Sequence, residues 1–428
     1  MHKRLAKQLF ELGAKARNPS LFGLYDALKE TEWLNRKQLQ DFQNEKARMF
    51  LSFASENSPF YKQLFQKIGF RPDKYTGIKD LACIPEIDKL CLIENNASIH
   101  SQNISEKVRL AETSGTSGQS LSFNRAESWD SQNRAAMMRA YDWYEVKPWD
   151  RNGYLWGYNI SRRQHLKVKF LDILQNRFRI FDYSEKEIDG FARRLCSAQF
   201  LNGYSSMVYE VARLINERGI DIPNLKLVKG TSEIILDIHH AESIKAFGRR
   251  VTSEYGAAEA GLIAFECPYG GLHINVETVI LEQNSAGEAL VTNLASHSFP
   301  IIRYNLGDII SFSDDYCLCG RSHPLLKDVK GRKGKNVVGF KRKYPGLTFY
   351  YVFKNIALEN SVLINYKVVQ REVGKVVVLI EGLRSAKTVG LVQEQLDRYF
   401  GSDVEFEIEF VEKFGLELKK RQYFESDF

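Results

Sequence analysis

The chain has 428 residues, 44% of them hydrophobic, with 6 cysteines and a formal net charge of +7 from 60 Lys and Arg against 53 Asp and Glu. That length supports a large core and roughly two or three domains, and the cysteines are too few for a disulfide scaffold. The mild basicity is spread along the chain, apart from short runs such as Lys419-Lys420-Arg421, without an interleaved basic and aromatic RNA-binding motif or a DNA-binding zinc-finger spacing, so no nucleic-acid partner is expected. With no apolar run of about eighteen residues and no signal peptide at Met1-His2-Lys3-Arg4, the expectation is a cytoplasmic chain without membrane insertion.

In chain order, residues 1–70 read as helical, with a helix start at Ser58-Pro59-Phe60-Tyr61. Strand character at 120–123 leads into a long helix over 127–144. Elements then alternate: strand 153–157, helix 188–196, strand 200–203, helix 205–218, strand 225–229, helix 241–247 and strand 250–255. Such alternation predicts an α/β architecture with parallel strands. From Gly271 the pattern turns β-rich, as in 273–281 and 288–292. Beyond a candidate hinge at Gly331-Arg332, strands at 366–370 and 375–381, a helix over 386–399 and a final strand at 404–411 make a small α+β unit. The expected domains are 1–331 (helical start 1–70, α/β core 71–270, β-rich subdomain 271–331) and a mobile C-terminal 332–428.

The stretch Thr113-Ser114-Gly115-Thr116-Ser117-Gly118 concentrates hydroxyls and glycines. Alone it fits a surface turn as well as a cradle whose N–H groups and hydroxyls surround phosphate oxygens. It is followed in order by Tyr255-Gly256-Ala257-Ala258-Glu259, Arg303-Tyr304-Asn305-Leu306-Gly307-Asp308 and Gly331-Arg332. This order resembles the adenylate-forming ligases. Within them, Ile84-Pro85 with Lys89, Glu266-Cys267 through His273, and Cys317-Leu318-Cys319-Gly320-Arg321 are similar to the phenylacetate–CoA ligase family, particularly its branch associated with capsular polysaccharide biosynthesis, the CapK-like proteins. The resemblance runs over roughly residues 40–380.

The resemblance implies attack of a carboxylate on the α-phosphate of ATP, giving an acyl-AMP, followed by transfer of the acyl group to CoA, a carrier-protein thiol or an amine. It implies that Thr113, Ser114, Gly115, Thr116, Ser117 and Gly118 hold the phosphates. Tyr255 and Gly256 flank the adenine, Glu259 binds Mg²⁺, Asp308 and Arg332 hold the ribose, and Lys419 or Lys420 reaches the α-phosphate. The chain departs from the family pattern where Gln119 follows the loop in place of a lysine, where Ala258 replaces a hydroxyl residue, and where Gly334 replaces an acidic residue. A hinge can use Gly334 equally well; Gln119, Ala258 and the indistinct C-terminal lysine support a second reading, a catalytically weakened scaffold of the same fold that binds a nucleotide or acyl-adenylate. Cys267, His273, Cys317 and Cys319 form a zinc-type set, with His323 competing with His273 as fourth ligand. Glu233 and the segment Asn202, Tyr204 and Ser205 are candidates for nucleotide-adjacent and acyl-pocket positions. The oligomeric state is open between monomer and homodimer.

Overall fold

The computed structural model describes residues 1–113, 121–156, 162–181, 184–332, 336–346, 348–415 and 423–428, with backbone alone for 162–165, 331, 332 and 345. The chain falls into two compact units: 1–150 with 173–176 and 252–329, and 151–172 with 177–251 and 330–428.

The first unit opens with helices Lys3–Arg17, Leu21–Thr31, Arg36–Asn57 and Pro59–Ile68. Local chemistry sets their ends. Asn35 and Gln38 form a reciprocal capping box, Pro59 occupies the first turn of its helix, and Gly69 closes it at φ 70°. These helices bury Phe50, Leu51, Tyr61 and Phe65 in one core with Tyr255, Phe299 and Ile302. The sheet of this unit runs in the order Val279–Gln283, Glu288–Asn293, Ile301–Ser313, Leu325–Arg332, Leu272–Ile274, Gly261–Glu266, Thr252–Ala257. Thr252–Ala257 and Gly261–Glu266 pair antiparallel. The short connection between them can close a hairpin but cannot hold the crossover that parallel pairing needs.

In the second unit Leu227–Thr231, Phe200–Tyr204, Asn152–Leu155 and Arg177–Phe178 are neighbours in that order and pair parallel, as the alternation predicts. Helix Glu185–Leu195 covers them with Ile188, Phe191, Ala192 and Leu195, one face at helical spacing. A four-stranded sheet, Glu405–Val411, Lys375–Glu381, Tyr366–Glu372, Phe424–Ser426, carries helices Thr348–Asn360 and Ala386–Phe400 on a core of Phe349, Val378, Leu396 and Phe400. Its edge strand Phe424–Ser426 lies beyond the expected last strand at 404–411; three residues are too few to read as alternation. Helix Arg162–Leu174 was not legible either. Its Leu166, Phe170 and Ile173 are 75, 61 and 66% exposed, so its apolar residues do not mark a buried face.

Candidate functional site

Thr113, the first residue of the hydroxyl-rich stretch, directly follows a strand. Val108–Glu112 and Ser122–Ala126 pair antiparallel, ending at Glu112 opposite Ser122. Thr113 closes the base of the loop: its N–H donates to the Leu121 carbonyl at 2.9 Å, and its Oγ1 accepts from the Leu121 N–H at 3.0 Å. The hairpin is held from below by Leu121 and by Phe123, which stacks on Trp129 and Phe299 at 5.3 Å each. Ser114, Gly115, Thr116, Ser117 and Gly118 lie outside the described residues.

Two of the expected nucleotide residues are brought into contact. The Tyr255 hydroxyl, on strand Thr252–Ala257, donates to Asp308 Oδ2 at 3.0 Å from within strand Ile301–Ser313. Gly256 sits where a Cβ would come within 2.6 Å of the Gly261 carbonyl oxygen, so the tight hairpin that places Glu259 excludes a side chain there. Glu259 is 3% exposed. The Tyr304 hydroxyl donates to its Oε1 at 3.3 Å, and Asn293 Nδ2 donates to its carbonyl at 3.0 Å. Tyr304 is aimed by its neighbour Arg303, held at φ 49°. That left-handed backbone is strained for a non-glycine residue. It is pinned by the Arg303 guanidinium on the Ile84 carbonyl and on Glu282 at 3.2 Å, and by the Ile87 N–H donating to the Arg303 carbonyl at 3.1 Å. Arg303 is thus a brace, and Tyr304 positions the carboxylate.

Arg125 is a residue that sequence reading missed. From strand Ser122–Ala126 its Nη2 donates to the Ala258 carbonyl at 2.5 Å, and its guanidinium lies over the rings of Trp129 and Phe123 at 5.2 and 5.7 Å. Burial pushes its pKa down, while the charges of Asp130 and Glu259 pull it up. Arg125 therefore ties the hairpin of strands Val108–Glu112 and Ser122–Ala126 to the turn that carries Glu259. The available signal was a cation in a short strand directly after the loop; only the fold shows that it reaches Ala258.

A second cluster joins distant cysteines. The donor atoms of Cys267, His273, Cys317 and Cys319 lie within 4.8 Å of one another. Cys267 Sγ is 3.5 Å from Cys317 Sγ, and Cys319 Sγ is 3.2 Å from His273 Nε2. Burial pushes the Cys267 thiol up to about 12 and the His273 imidazole down to about 4. His323 is turned elsewhere, with its Nε2 2.9 Å from Glu277 Oε1, so His273 is the imidazole at the thiols.

In the second unit, Glu233 Oε2 accepts from the Ser206 N–H at 2.7 Å, capping the helix Ser205–Glu217. Asn202 Nδ2 donates to the Gly153 carbonyl at 3.2 Å, tying neighbouring strands, and Tyr204 stacks on Trp156 at 4.4 Å. These contacts account for Glu233 and Asn202 as supports of the scaffold. Arg332 ends strand Leu325–Arg332, with its side chain outside the described atoms, and Lys419 and Lys420 lie outside the described residues.

No family model matches the sequence. Among curated proteins it is 21% identical over 422 residues to "Protein CapK" of Staphylococcus aureus, covering 91% of this chain and 89% of the relative. It is likewise 21% identical over 326 residues to the phenylacetate-coenzyme A ligase of Thermus thermophilus, covering 71% and 72%. Among solved structures it superposes on 2-hydroxyisobutyryl-CoA ligase in the postadenylation state with 2-HIB-AMP at a TM-score of 0.73, with 15% identity and 93% and 92% of the two chains covered. The same ligase with 2-HIB-AMP and CoA in the thioesterification state gives 0.61, with 17% identity over 93% and 92%.

Proposed function

We propose that this chain, a member of the phenylacetate–CoA ligase family of adenylate-forming ligases, is an ATP-dependent, AMP-forming ligase that activates a carboxylic acid and passes its acyl group to CoA or another thiol or amine. The observation that carries the reading is the Tyr255–Asp308 hydrogen bond, which brings two distant nucleotide motifs together. Beside it, the hairpin that bears the hydroxyl loop reaches the Glu259 turn through Arg125.

In this reading the substrate carboxylate oxygen attacks the α-phosphorus, the bond to the bridging oxygen of the β-phosphate breaks, and pyrophosphate leaves. An acceptor thiol then attacks the acyl carbon, loses its proton to solvent and expels AMP. The chain's own part is to hold and orient charge. The loop 113–118 surrounds the β- and γ-phosphates with N–H and hydroxyl donors. Asp308, oriented by the Tyr255 hydroxyl, accepts from the ribose hydroxyls. Tyr304 fixes the carboxylate of Glu259, whose hard oxygen donors suit Mg²⁺. When bound, that cation neutralises phosphate charge. Arg332 at the junction and Lys419 or Lys420 in the domain 332–428 complete the set by resemblance. The CapK-like resemblance supports an acyl group destined for surface polysaccharide.

The scaffold reading rests on Gln119 and Ala258. Against it stands Arg125, a cation that joins the hairpin to the Ala258 carbonyl beside Glu259. Its removal is an expected loss of function: hydrogen bonds to charged groups contribute about 1.5–3 kcal/mol, so Arg125→Ala lowers kcat/KM for ATP by about 10–100-fold. Arg125→Lys recovers only part, because an ammonium lacks the delocalised plane that lies near both the Trp129 and Phe123 rings while donating to the Ala258 carbonyl. Steady-state kinetics of both variants measures this.

ATP–pyrophosphate exchange against a panel of carboxylic acids tests the whole reading. Exchange with at least one acid is the expected result. ATP binding without exchange for any acid would favour the scaffold.

A further inference from the structure

We propose that Cys267, His273, Cys317 and Cys319 bind one structural Zn²⁺, and that this ion holds residues 314–321 in place, so that Arg321 locks the segment following helix Leu21–Thr31.

The donor set is three thiols and one imidazole, the softness and number that a closed zinc site takes. At zinc–sulfur and zinc–nitrogen distances of about 2.3 and 2.0 Å, the sulfur–sulfur and sulfur–nitrogen edges of a tetrahedron are about 3.8 and 3.5 Å. The observed Cys267–Cys317 and Cys319–His273 separations of 3.5 and 3.2 Å each lie within about 0.3 Å of the corresponding edge. Space has been kept for the donors. A Cβ on Gly271 would stand 2.6 Å from Cys317 Sγ and 3.2 Å from His273 Nε2. A second layer braces the ligand ring: Trp143 packs edge-on against His273 at 5.6 Å.

Beyond the cluster the loop is held at its start by Arg36, which donates to the Asp314 and Asp315 carbonyls at 3.5 and 3.1 Å and lies over the Tyr316 ring at 4.1 Å. Tyr316 and Leu318 are 73% and 88% exposed, and no apolar residue from 314 to 321 belongs to the buried core. Packing therefore contributes little there, whereas two of its side chains, Cys317 and Cys319, enter the cluster. Just beyond them Arg321 donates to Glu32 Oε1 at 2.8 and 2.6 Å, with its guanidinium over Trp33 and Trp143 at 4.8 and 4.6 Å. Glu32 is fully buried and also accepts from Trp143 Nε1 at 2.9 Å. Metal loading is thereby linked to the seating of Arg321 on the N-terminal helical segment, since a site formed only in the folded state adds its binding free energy to folding.

Metal analysis of the full chain purified under reducing conditions, together with limited proteolysis, tests this independently of ligase activity. The expected result is about one Zn²⁺ per chain, lost in Cys319→Ser and kept in the control Cys83→Ser, whose thiol is exposed and far from the cluster in sequence. Chelation is expected to quench or shift Trp143 fluorescence and to open a new cleavage site within 314–321. Because Cys319→Ser could fail to fold, Co²⁺ replacement in the unmodified chain gives a second readout: tetrahedral ligand-field bands with strong thiolate charge-transfer absorption. Zinc below about 0.1 per chain after supplementation, a Co²⁺ spectrum without thiolate bands, or recovery of a Cys267–Cys317 disulfide would overturn the metal site. Full occupancy with no chelation-dependent cleavage or fluorescence change would overturn its role as a staple.

Discussion

Replacing Glu259 by Gln is expected to reduce ATP–pyrophosphate exchange by about 10²–10³-fold, the loss typical when one preorganised electrostatic contact to a reacting group is removed. The exchange removes oxygen charge without changing side-chain size. Glu259 is buried to 3% exposure and receives the Tyr304 hydroxyl. Gln keeps an oxygen to accept that bond, so the fold around it should persist. What it cannot do is neutralise a divalent cation with a full negative charge. Two measurements separate this from a general loss of binding. Nucleotide affinity without Mg²⁺ should change little, while the Mg²⁺ concentration giving half-maximal exchange should rise. Unchanged exchange in Glu259→Gln would remove Glu259 from the chemistry.

The largest stability effect is expected at Glu277. This carboxylate is fully buried and accepts from the Arg139 guanidinium, from Thr31 Oγ1 at 2.9 Å and from His323 Nε2 at 2.9 Å. Arg139 also donates to Asn275 Oδ1 at 2.6 Å, and Lys46 donates to the Glu277 carbonyl at 2.8 Å. Removing one partner leaves a buried guanidinium uncompensated, at a cost of about 3–5 kcal/mol. Glu277→Gln should therefore lower the denaturation midpoint of the unit that contains it. Replacing the pair together, Glu277→Leu with Arg139→Met, should recover much of the loss, because both desolvation penalties disappear.

The pH dependence of the same group has a definite sign. Burial pushes the Glu277 carboxyl up, but Arg139 and His323 outweigh it and hold the group well below the usual carboxylate range. The unfolded chain then takes up the proton first as pH falls. The contribution of Glu277 is present in full above about pH 4.3, its unfolded value, and is lost as pH drops toward the depressed folded value. Denaturation of wild type and Glu277→Gln should differ at pH 7 and converge in acid. A constant gap across that range would exclude ionisation of Glu277 as the source.

Much of the architecture was legible because it follows from local repeats. Helix Glu185–Leu195 shows its buried face at Ile188, Phe191, Ala192 and Leu195, and strand Lys375–Glu381 alternates in burial. The motif order from Thr113 to Asp308 carried the family resemblance, since spacing along a chain survives when most side chains change. Where apolar residues point outward, as on Arg162–Leu174, or a strand is as short as Phe424–Ser426, no periodicity exists to read.

The sequence by itself determined which donors are available: hydroxyls and glycines at 113–118, carboxylates at Glu259 and Asp308, and three thiols with an imidazole between 267 and 319. Only tertiary structure decided which of them meet. It placed Tyr255 on Asp308, chose His273 over His323 by committing the latter to Glu277, and brought Arg125 to the Ala258 carbonyl. The physical reason is the same in each case. A side chain's chemistry is local, but its partner is fixed by strand register and by backbone turns such as φ 49° at Arg303, and those are set by packing between segments far apart in the chain.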